Sequence, residues 1–160
     1  MFEVRPAIPT DAAAWLRMRC AFWPDGSEAE HADEINGFFT GRLREPLQVL
    51  LAFDSSGTAV GFAELSIRKY AEDCVTDRVA YLEGWYVVPE YRRQGVGRAL
   101  AGAAEEWAKV QGCAEFASDA LLDNHVSAAA HRAIGFEETV QIRCFRKVVD
   151  RAKLPTRPRE

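Results

Sequence analysis

Two spacings of apolar residues alternate along the chain and predict the order of its elements. Strand-like apolar or alternating segments occupy residues 2–7, 47–53, 58–70, 79–88, 114–119 and 138–149. Helix-like spacing occupies residues 10–22, 28–44, 96–110 and 126–134. This order predicts one α/β (α+β) domain, in which helices flank a mixed sheet.

The clearest helix prediction follows a loop with two glycines. Its apolar residues are spaced i, i+3, i+4, i+7, i+11 and i+14 and form one predicted stripe: Val96, Ala99, Leu100, Ala103, Trp107 and Val110. Gly112 stands where a glycine C-cap is expected. The pattern therefore predicts an amphipathic helix packed on the sheet.

Composition narrows the class of protein. With 160 residues, 48% hydrophobic and 28% charged, the chain is typical of a soluble globular protein. We expect a single domain at residues 1–150 and a disordered, proline-bearing tail at 151–160. No apolar run approaches the roughly 20 residues that span a bilayer, and the N-terminal segment does not resemble a signal peptide, so we expect a cytoplasmic protein without a membrane partner.

Charge and cysteine usage exclude further classes. A net charge of −4 argues against a general nucleic-acid binder and suits a cationic partner. The four cysteines are scattered and lack the spacing of a zinc site. We therefore expect free thiols, most of them in the core, and no metal.

The glycine loop carries the most specific chemistry in the sequence. A strand ends at Pro89, and the predicted amphipathic helix starts within R-R-Q-G-V-G. Unpaired backbone N–H groups and the positive end of the helix then face one spot, which favours a pyrophosphate. Neither a P-loop, which needs GK[ST], nor a dinucleotide fingerprint, which needs a third glycine or alanine where Leu100 stands, fits this spacing. The predicted anion-binding residues are Arg92, Arg93, Gln94, Gly95, Val96, Gly97 and Arg98.

The pattern R-x-x-G-x-G after a strand ending V-x-P resembles the coenzyme A loop of the GCN5-related N-acetyltransferases. The order of elements from Phe2 to about Val149 is also similar to that superfamily. The resemblance implies the GCN5-related N-acetyltransferase fold, with a mixed, mostly antiparallel sheet and splayed central strands, and acetyl-CoA as cosubstrate. It further implies that Trp85, Val87 and Val88 line the pantetheine, with the Val87 N–H as the oxyanion donor.

Four segments, residues 21–26, 82–100, 112–119 and 124–139, resemble the bacterial aminoglycoside 6'-N-acetyltransferases more specifically. That resemblance implies acetylation of the 6'-amine, antibiotic resistance and a homodimer. Acetylation of another amine, such as a polyamine or a protein N-terminus, and a non-catalytic sensor of acetyl-CoA or a cation remain as alternatives.

A polycationic sugar needs carboxylates for its ammonium groups and an aromatic face for a ring. The acceptor-binding candidates are Trp23, Asp25, Tyr70, Glu83, Asp119 and Glu137. Glu83 is the strongest of them, because it stands inside an apolar strand where a carboxylate needs a partner. The others have simpler interpretations as core, helix-start, loop-capping or solvated residues.

For catalysis, we expect direct attack in a ternary complex, with Glu83 or Asp119 removing a proton from the amine through water. Many members of the superfamily have a tyrosine acid seven residues after an asparagine, whereas here Asn124 leads to His131. Both residues are candidates for the coenzyme site. His131 can protonate the leaving thiolate, but so can solvent, and a half-buried helix residue bonded to the backbone is an equal alternative.

Overall fold

A computed structural model describes residues 2–154 and contains one five-stranded sheet with strand order β1-β2-β3-β4-β5. Neighbouring strands are antiparallel except β4 and β5, which are parallel. The predicted mixed, mostly antiparallel sheet is therefore confirmed. The strands are β1 Glu3–Pro6, β2 Gln48–Phe53, β3 Ala59–Arg68, β4 Val79–Val87 and β5 Glu115–Ser118. The helices are α1 Ala12–Phe22, α2 Glu28–Phe39, α3 Val96–Val110 and α4 His125–Ala133, with short 3₁₀ turns at Pro9–Asp11, Pro89–Tyr91 and Arg151–Lys153.

Helix α3 covers one face of the sheet with a stripe that overlaps the predicted one in part. Its buried residues are Val96, Leu100, Ala101, Ala104 and Ala108. Ala103 and Trp107 are half-buried and pack at the margin of the core, whereas Val110 is 81% exposed. The contact line therefore includes the predicted Val96 and Leu100 and then follows the small alanines, which let the helix lie close to the strands.

Helices α1 and α2 cover the opposite face, where Trp15 and Ile35 pack against strands β2 and β3. A capping box at Ser27 starts α2. The helix ends at Phe39, short of the predicted residue 44, because Gly41 adopts a left-handed conformation with φ of +71°. None of the helices within residues 2–154 is long and apolar enough to cross a membrane.

The predicted strand at residues 138–149 is wrong for the single chain. This segment belongs to no strand, and its apolar side chains are largely exposed, including Phe145 at 92% and Val149 at 91%. The alternation of apolar residues is genuine, but a strand forms only where a neighbouring strand supplies hydrogen bonds. Helix α4 also has no fully buried residue: of its predicted apolar positions, Ala130 and Ile134 are half-buried, and Val126, Ala129 and Ala133 are exposed.

Two predictions concern the tail and the thiols. Asp150 caps the short turn at Arg151–Lys153, and residues 155–160 of the predicted disordered tail lie outside the described residues. All four cysteines are free, as expected. Only Cys113 is buried, however, so the expectation that most of them lie in the core is wrong.

A β-bulge interrupts the centre of β4. Gly84 lies opposite Glu64 and Leu82 lies opposite Leu65, so Glu83 has no partner residue on β3. On its other edge, β4 pairs with β5 only from Val79 to Leu82. The two parallel strands therefore separate beyond the bulge, and the predicted splay of the central strands is confirmed.

Candidate active site

The gap between β4 and β5 exposes backbone groups of β4. Val88 donates its N–H to the carbonyl of Val60 at 2.9 Å, so the neighbouring Gly61–Val87 pair is of the non-hydrogen-bonded type. The Val87 N–H therefore points away from β3, into the gap. This is the position expected for a donor to a thioester oxygen.

The loop after β4 has the shape of an anion site. Arg93 and Gly95 both adopt left-handed conformations, with φ of +61° and +93°, and Gly95 is the N-cap of α3. Alternating right- and left-handed residues turn successive N–H groups toward one point, where the positive helix end adds to them. A Cβ added to Gly95 would meet no atom within 4 Å, and Arg93 has no side-chain hydrogen bond or ion pair to the rest of residues 2–154. Space and charge for a diphosphate are both available here.

Gly97 also has a packing role. A Cβ on Gly97 would lie 3.0 Å from the Trp85 ring, and the Trp85 indole N–H donates to the Gly97 carbonyl at 3.2 Å. The absence of a side chain therefore serves the packing of α3 on β4. Of the two glycines of the loop, Gly95 is the one with open space at its Cβ position. Binding of a phosphate by Gly97 stays a prediction.

Three other residues of the loop use their side chains locally. Arg92 donates to the Val87 carbonyl at 3.0 Å, and Gln94 donates to the Glu90 carbonyl at 2.7 Å. Arg98 donates to the carbonyl of Ala133 at 3.1 Å and so joins α3 to the C-terminal end of α4. Val88 and Val96 contribute backbone and packing.

His131 lies beside the gap. Its Nδ1 is 2.8 Å from the Ser127 carbonyl, its Nε2 is 2.9 Å from the Ser118 hydroxyl, and its ring meets Trp85 edge to face. A carbonyl only accepts, so Nδ1 carries a proton and Nε2 faces Ser118. Ser118 also lies 3.1 Å from the Leu82 carbonyl, at the point where β4 and β5 separate. The side chain of Asn124 accepts from the Ser127 N–H as the N-cap of α4.

The face of the sheet under α1 carries the acceptor candidates. Trp23 packs directly on Gly84, where an added Cβ would lie 2.6 Å from the indole ring. The Arg19 guanidinium lies 5.0 Å from the ring centroid of Trp23, and His31 Nε2 lies 3.0 Å from the Trp23 carbonyl. Trp23 is half-buried, so one part of the ring is anchored and another part is accessible.

Beneath Trp23 lies a buried carboxylate. Glu64 Oε1 accepts from the indole N–H of Trp15 at 2.9 Å and lies 2.8 Å from Nε of Arg19. Arg19 also pairs with Glu34 at 2.7 Å. Burial raises the pKa of Glu64 to about 7, and the charge of Arg19 opposes this shift only in part.

Glu83 and Asp119 are linked through two residues that the sequence did not single out. Arg68 donates to both oxygens of Glu83, at 2.9 and 2.6 Å, and Ser66 donates to the same carboxylate. Tyr81 donates its hydroxyl to Asp119 at 2.8 Å, and the guanidinium of Arg68 lies 3.4 Å from the Tyr81 ring centroid. Burial and the Asp119 carboxylate raise the pKa of Tyr81, which keeps its hydroxyl protonated.

The remaining acceptor candidates besides Trp23 have exposed side chains. Asp25, Tyr70 and Glu137 are exposed and form no side-chain hydrogen bond or ion pair within residues 2–154. Within the same residues, no group of three or more His, Cys, Asp or Glu side chains has the arrangement of a metal site.

Comparisons with known proteins identify the family of the chain. The model of the acetyltransferase (GNAT) family matches residues 11–136. The chain belongs to this family. The acetyltransferase is 58% identical over 144 residues, which are 90% of this chain and 95% of the relative, to an aminoglycoside N(6')-acetyltransferase type 1 of Klebsiella aerogenes. A relative of the same name from Acinetobacter baumannii is 42% identical, over 91% of this chain and 97% of its own.

Solved structures support the same family assignment. AAC(6')-Iy in complex with the bisubstrate analogue CoA-S-monomethyl-acetylneamine superposes with a TM-score of 0.85 at 32% identity, over 92% of this chain and 99% of its own. AAC(6')-Ih from Acinetobacter baumannii has a TM-score of 0.85 at 38% identity, over 94% and 100% of the two chains. The predictions of family and fold are confirmed.

Proposed function

We propose that this acetyltransferase transfers the acetyl group of acetyl-CoA to the 6'-amine of aminoglycosides and thereby confers resistance to them. The observation that carries the proposal is the 58% identity to an aminoglycoside N(6')-acetyltransferase over 90% of the chain. An anionic, aromatic-walled face beside the coenzyme gap supports a polycationic sugar as the acceptor. The activity named for these relatives is the same as the activity predicted from the sequence.

The donor half of the site follows from backbone geometry. The loop around Gly95 and the first N–H groups of α3 would hold the diphosphate, with Arg93 at its rim. The exposed edge of β4 beyond the bulge would hold the pantetheine by strand-like hydrogen bonds. This placement brings the thioester carbonyl to the N–H of Val87.

The acceptor amine must be neutral when it attacks the thioester carbon. Glu83 and Asp119 attract the ammonium form, and a water between the amine and one carboxylate takes up the proton. As the C–N bond forms, the Val87 N–H donates to the developing oxyanion. The nitrogen then loses its second proton through the same water, and collapse of this tetrahedral species breaks the C–S bond and releases the amide and a thiolate.

The thiolate is protonated at the gap or in solvent. His131 holds a proton on Nδ1, and Ser118 connects its Nε2 to the apex of the gap. An imidazolium at His131 can donate from Nε2 to the Ser118 oxygen as the serine hydroxyl turns from the Leu82 carbonyl and gives its own proton to the thiolate. A thiol with a pKa of about 8.5 is a good leaving group, so this relay assists the release rather than being required for it.

A thiol-release assay tests the proposed function. The acceptors are neomycin and paromomycin, which differ in carrying an amine or a hydroxyl at the 6'-position, together with spermidine and a peptide with a free N-terminus. We expect release of thiol with neomycin and none above background with the other three. Turnover with spermidine or the peptide, but not with neomycin, would replace the aminoglycoside by that amine. Coenzyme binding without turnover on any acceptor would favour the sensor.

We further propose that the chain acts as a homodimer. Residues 138–149 belong to no helix or strand, and they expose apolar side chains at alternate positions such as Val140 and Ile142, while α4 offers a largely exposed surface. A second copy can supply the missing strand partner. Light scattering should give twice the mass of the chain, and Ile142→Asp should shift it toward the monomer more than Arg143→Ala does. A monomeric parent protein would contradict the proposal.

Dependence on acetyl-CoA, a metabolite of the cell interior, supports a cytoplasmic location.

A further inference from the structure

Five residues on the acceptor face form a cluster that we name the Arg68 cluster: Ser66, Arg68, Tyr81, Glu83 and Asp119. Ser66 lies opposite Tyr81 in the pairing of β3 with β4, and Arg68 follows two residues later on the same face of β3. The bulge turns Glu83 toward this face as well, where Ser66 and Arg68 reach it. Strand geometry thus brings one cation and two carboxylates together.

Arg68 occupies the centre of the cluster. Its planar fork meets Glu83 with two hydrogen bonds, and its guanidinium stacks on Tyr81, whose hydroxyl holds Asp119. The hydrogen bonds from Arg68 to Glu83 raise the pKa of Arg68, and the negative charge of Asp119 acts in the same direction. The guanidinium therefore interacts favourably with both carboxylates.

The two carboxylates are held differently. Both oxygens of Glu83 accept hydrogen bonds, which fixes the orientation of the side chain. Asp119 accepts at Oδ1 from Tyr81, and within residues 2–154 its Oδ2 has no protein donor. Glu83 is thus a fixed anion, and Asp119 retains an oxygen for water or an amine.

Removal of Arg68 would leave two like charges on one face of the sheet. Neighbouring carboxylates oppose each other's ionisation, so protonation would begin at higher pH. Arginine prevents this because it stays charged throughout the working range of pH. The side chain of Arg68 is 42% exposed, so solvent moderates the effect.

We propose that Arg68 is a positioning residue of the acceptor site, which holds Glu83 in one orientation and brings a positive charge to the face that carries both carboxylates. Tyr81 orients Asp119 through its hydroxyl and provides the surface on which Arg68 rests. The proposal builds on the proposed function, because its purpose is a pair of oriented carboxylates for a polycationic acceptor. A substrate ammonium then meets an acceptor site whose carboxylates are already in place.

Two substitutions separate charge from geometry. Arg68→Met removes the charge and keeps an apolar stem for Tyr81, while Arg68→Lys keeps the charge and loses the two-pronged hydrogen bond. Arg42→Met is the matched control, since Arg42 forms an exposed ion pair with Asp33 at 2.8 Å on α2. For each protein, kcat and KM are measured for both substrates, and kcat/KM for the aminoglycoside is measured against pH.

For Arg68→Met, we expect kcat/KM for the aminoglycoside to fall by about 10- to 100-fold, with the KM for acetyl-CoA unchanged within about twofold. The acid limb of its pH profile should move upward by about one pH unit. Arg68→Lys should restore the acid limb but recover the activity only in part, and Arg42→Met should behave as the parent protein does. An unmoved acid limb in Arg68→Met, or an Arg68→Lys profile as shifted as that of Arg68→Met, would overturn the proposal.

Failure of the proposed function is distinguishable from failure of this inference. A parent protein that acetylates no aminoglycoside refutes the function alone. Carbon-13 NMR of the Glu83 side-chain carboxyl then decides about Arg68, because in Arg68→Met the loss of its two hydrogen bonds should shift and broaden the resonance. Identical spectra of the variant and the parent protein would refute the role of Arg68. Circular dichroism of each variant shows whether it is folded, and the lysine variant serves the same comparison where the methionine variant is unfolded.

Discussion

The donor half of the site, which binds acetyl-CoA, and the acceptor half, which binds the amine, use different kinds of chemical group. Around Gly95 and Val87, the useful groups are backbone N–H groups, and the space beside them is open. Around Glu83, the useful groups are side chains, and most of their hydrogen-bonding capacity is already filled by Arg68 and Ser66. One half is therefore complete as soon as the backbone folds, while the other depends on a long-range network.

This difference predicts how each half responds to substitution. A backbone site is lost when the conformation of one residue changes, and few other substitutions affect it. A side-chain network weakens in steps, because its members share charge and hydrogen bonds and their contributions are not additive. Substitutions in each half of the site test this contrast.

Gly95→Val should abolish the donor half. Valine at a φ of +93° is strained, and its branched side chain enters the open space of the loop. We expect the KM for acetyl-CoA to rise by at least about 100-fold, measured by thiol release. Gly112→Val is the matched control, because Gly112 has a φ of +75° and equally open surroundings at the far end of α3. Equal loss of coenzyme binding in both variants would show that strain alone is responsible.

Glu83→Gln should damage only the acceptor half. The amide keeps the size of the side chain but leaves Arg68 without its counter-charge and removes one anion for the ammonium. We expect kcat for neomycin to fall by about 10- to 100-fold, with coenzyme binding by calorimetry unchanged. The control is Glu106→Gln, in an exposed ion pair with Lys109 on α3. Normal turnover by Glu83→Gln would remove Glu83 from the mechanism.

Gly84→Ala should displace the aromatic wall. Its methyl group would lie 2.6 Å from the ring of Trp23, so the indole must move. We expect the KM for the aminoglycoside to rise several-fold, and the free energy of unfolding to fall by about 1–3 kcal/mol, from urea titration. Gly102→Ala, an exposed site on α3 with no neighbour within 4 Å, should not lower either quantity. An unchanged KM in Gly84→Ala would separate Trp23 from acceptor binding.

Glu64→Gln should change the pH dependence of stability rather than the chemistry. Burial raises the pKa of Glu64 to about 7 in the folded protein, from 4.5, so the folded state holds a proton that the unfolded chain releases. The contribution of Glu64 to the free energy of unfolding is therefore fully present at low pH, and it falls by about 3 kcal/mol as the pH rises from about 4.5 to 7. Glutamine carries no titrating proton, so this decline should disappear in urea unfolding across that window. If the free energy of unfolding depends on pH in the same way in Glu64→Gln and in the parent protein, the raised pKa of Glu64 is contradicted.

The sequence predicted the donor half well because its signals are local. The strand, the left-handed glycine at position 95 and the N-terminus of α3 are adjacent in the chain, and their physics does not depend on distant residues. Arg68 was missed for the opposite reason. Its partner Glu83 lies 15 residues away on another strand, and the bulge that brings the two together leaves no mark in the apolar pattern.

Other differences have similar physical causes. Periodicity locates a helix, but the face of α3 that becomes buried depends on how closely alanines approach the sheet, which shifted the contact line from the predicted stripe. At residues 138–149, the alternation indicates the capacity to form a strand. Whether a strand forms depends on a neighbour that the single chain does not supply. The family and the activity were predicted from segments that carry this chemistry, rather than from periodicity.

The bulge at Glu83 also limits how this strand can change in length. Before it, Tyr81 faces the acceptor and Leu82 faces α3, and after it Trp85 faces α3 and Tyr86 faces the aromatic cluster with Phe22. The extra residue reverses the parity of the strand, so odd positions change sides there. Deletion of one residue would force half of the strand to present its side chains to the wrong layer. Substitutions can therefore adjust each half of the site by itself, whereas an insertion or deletion within β4 disrupts both halves together.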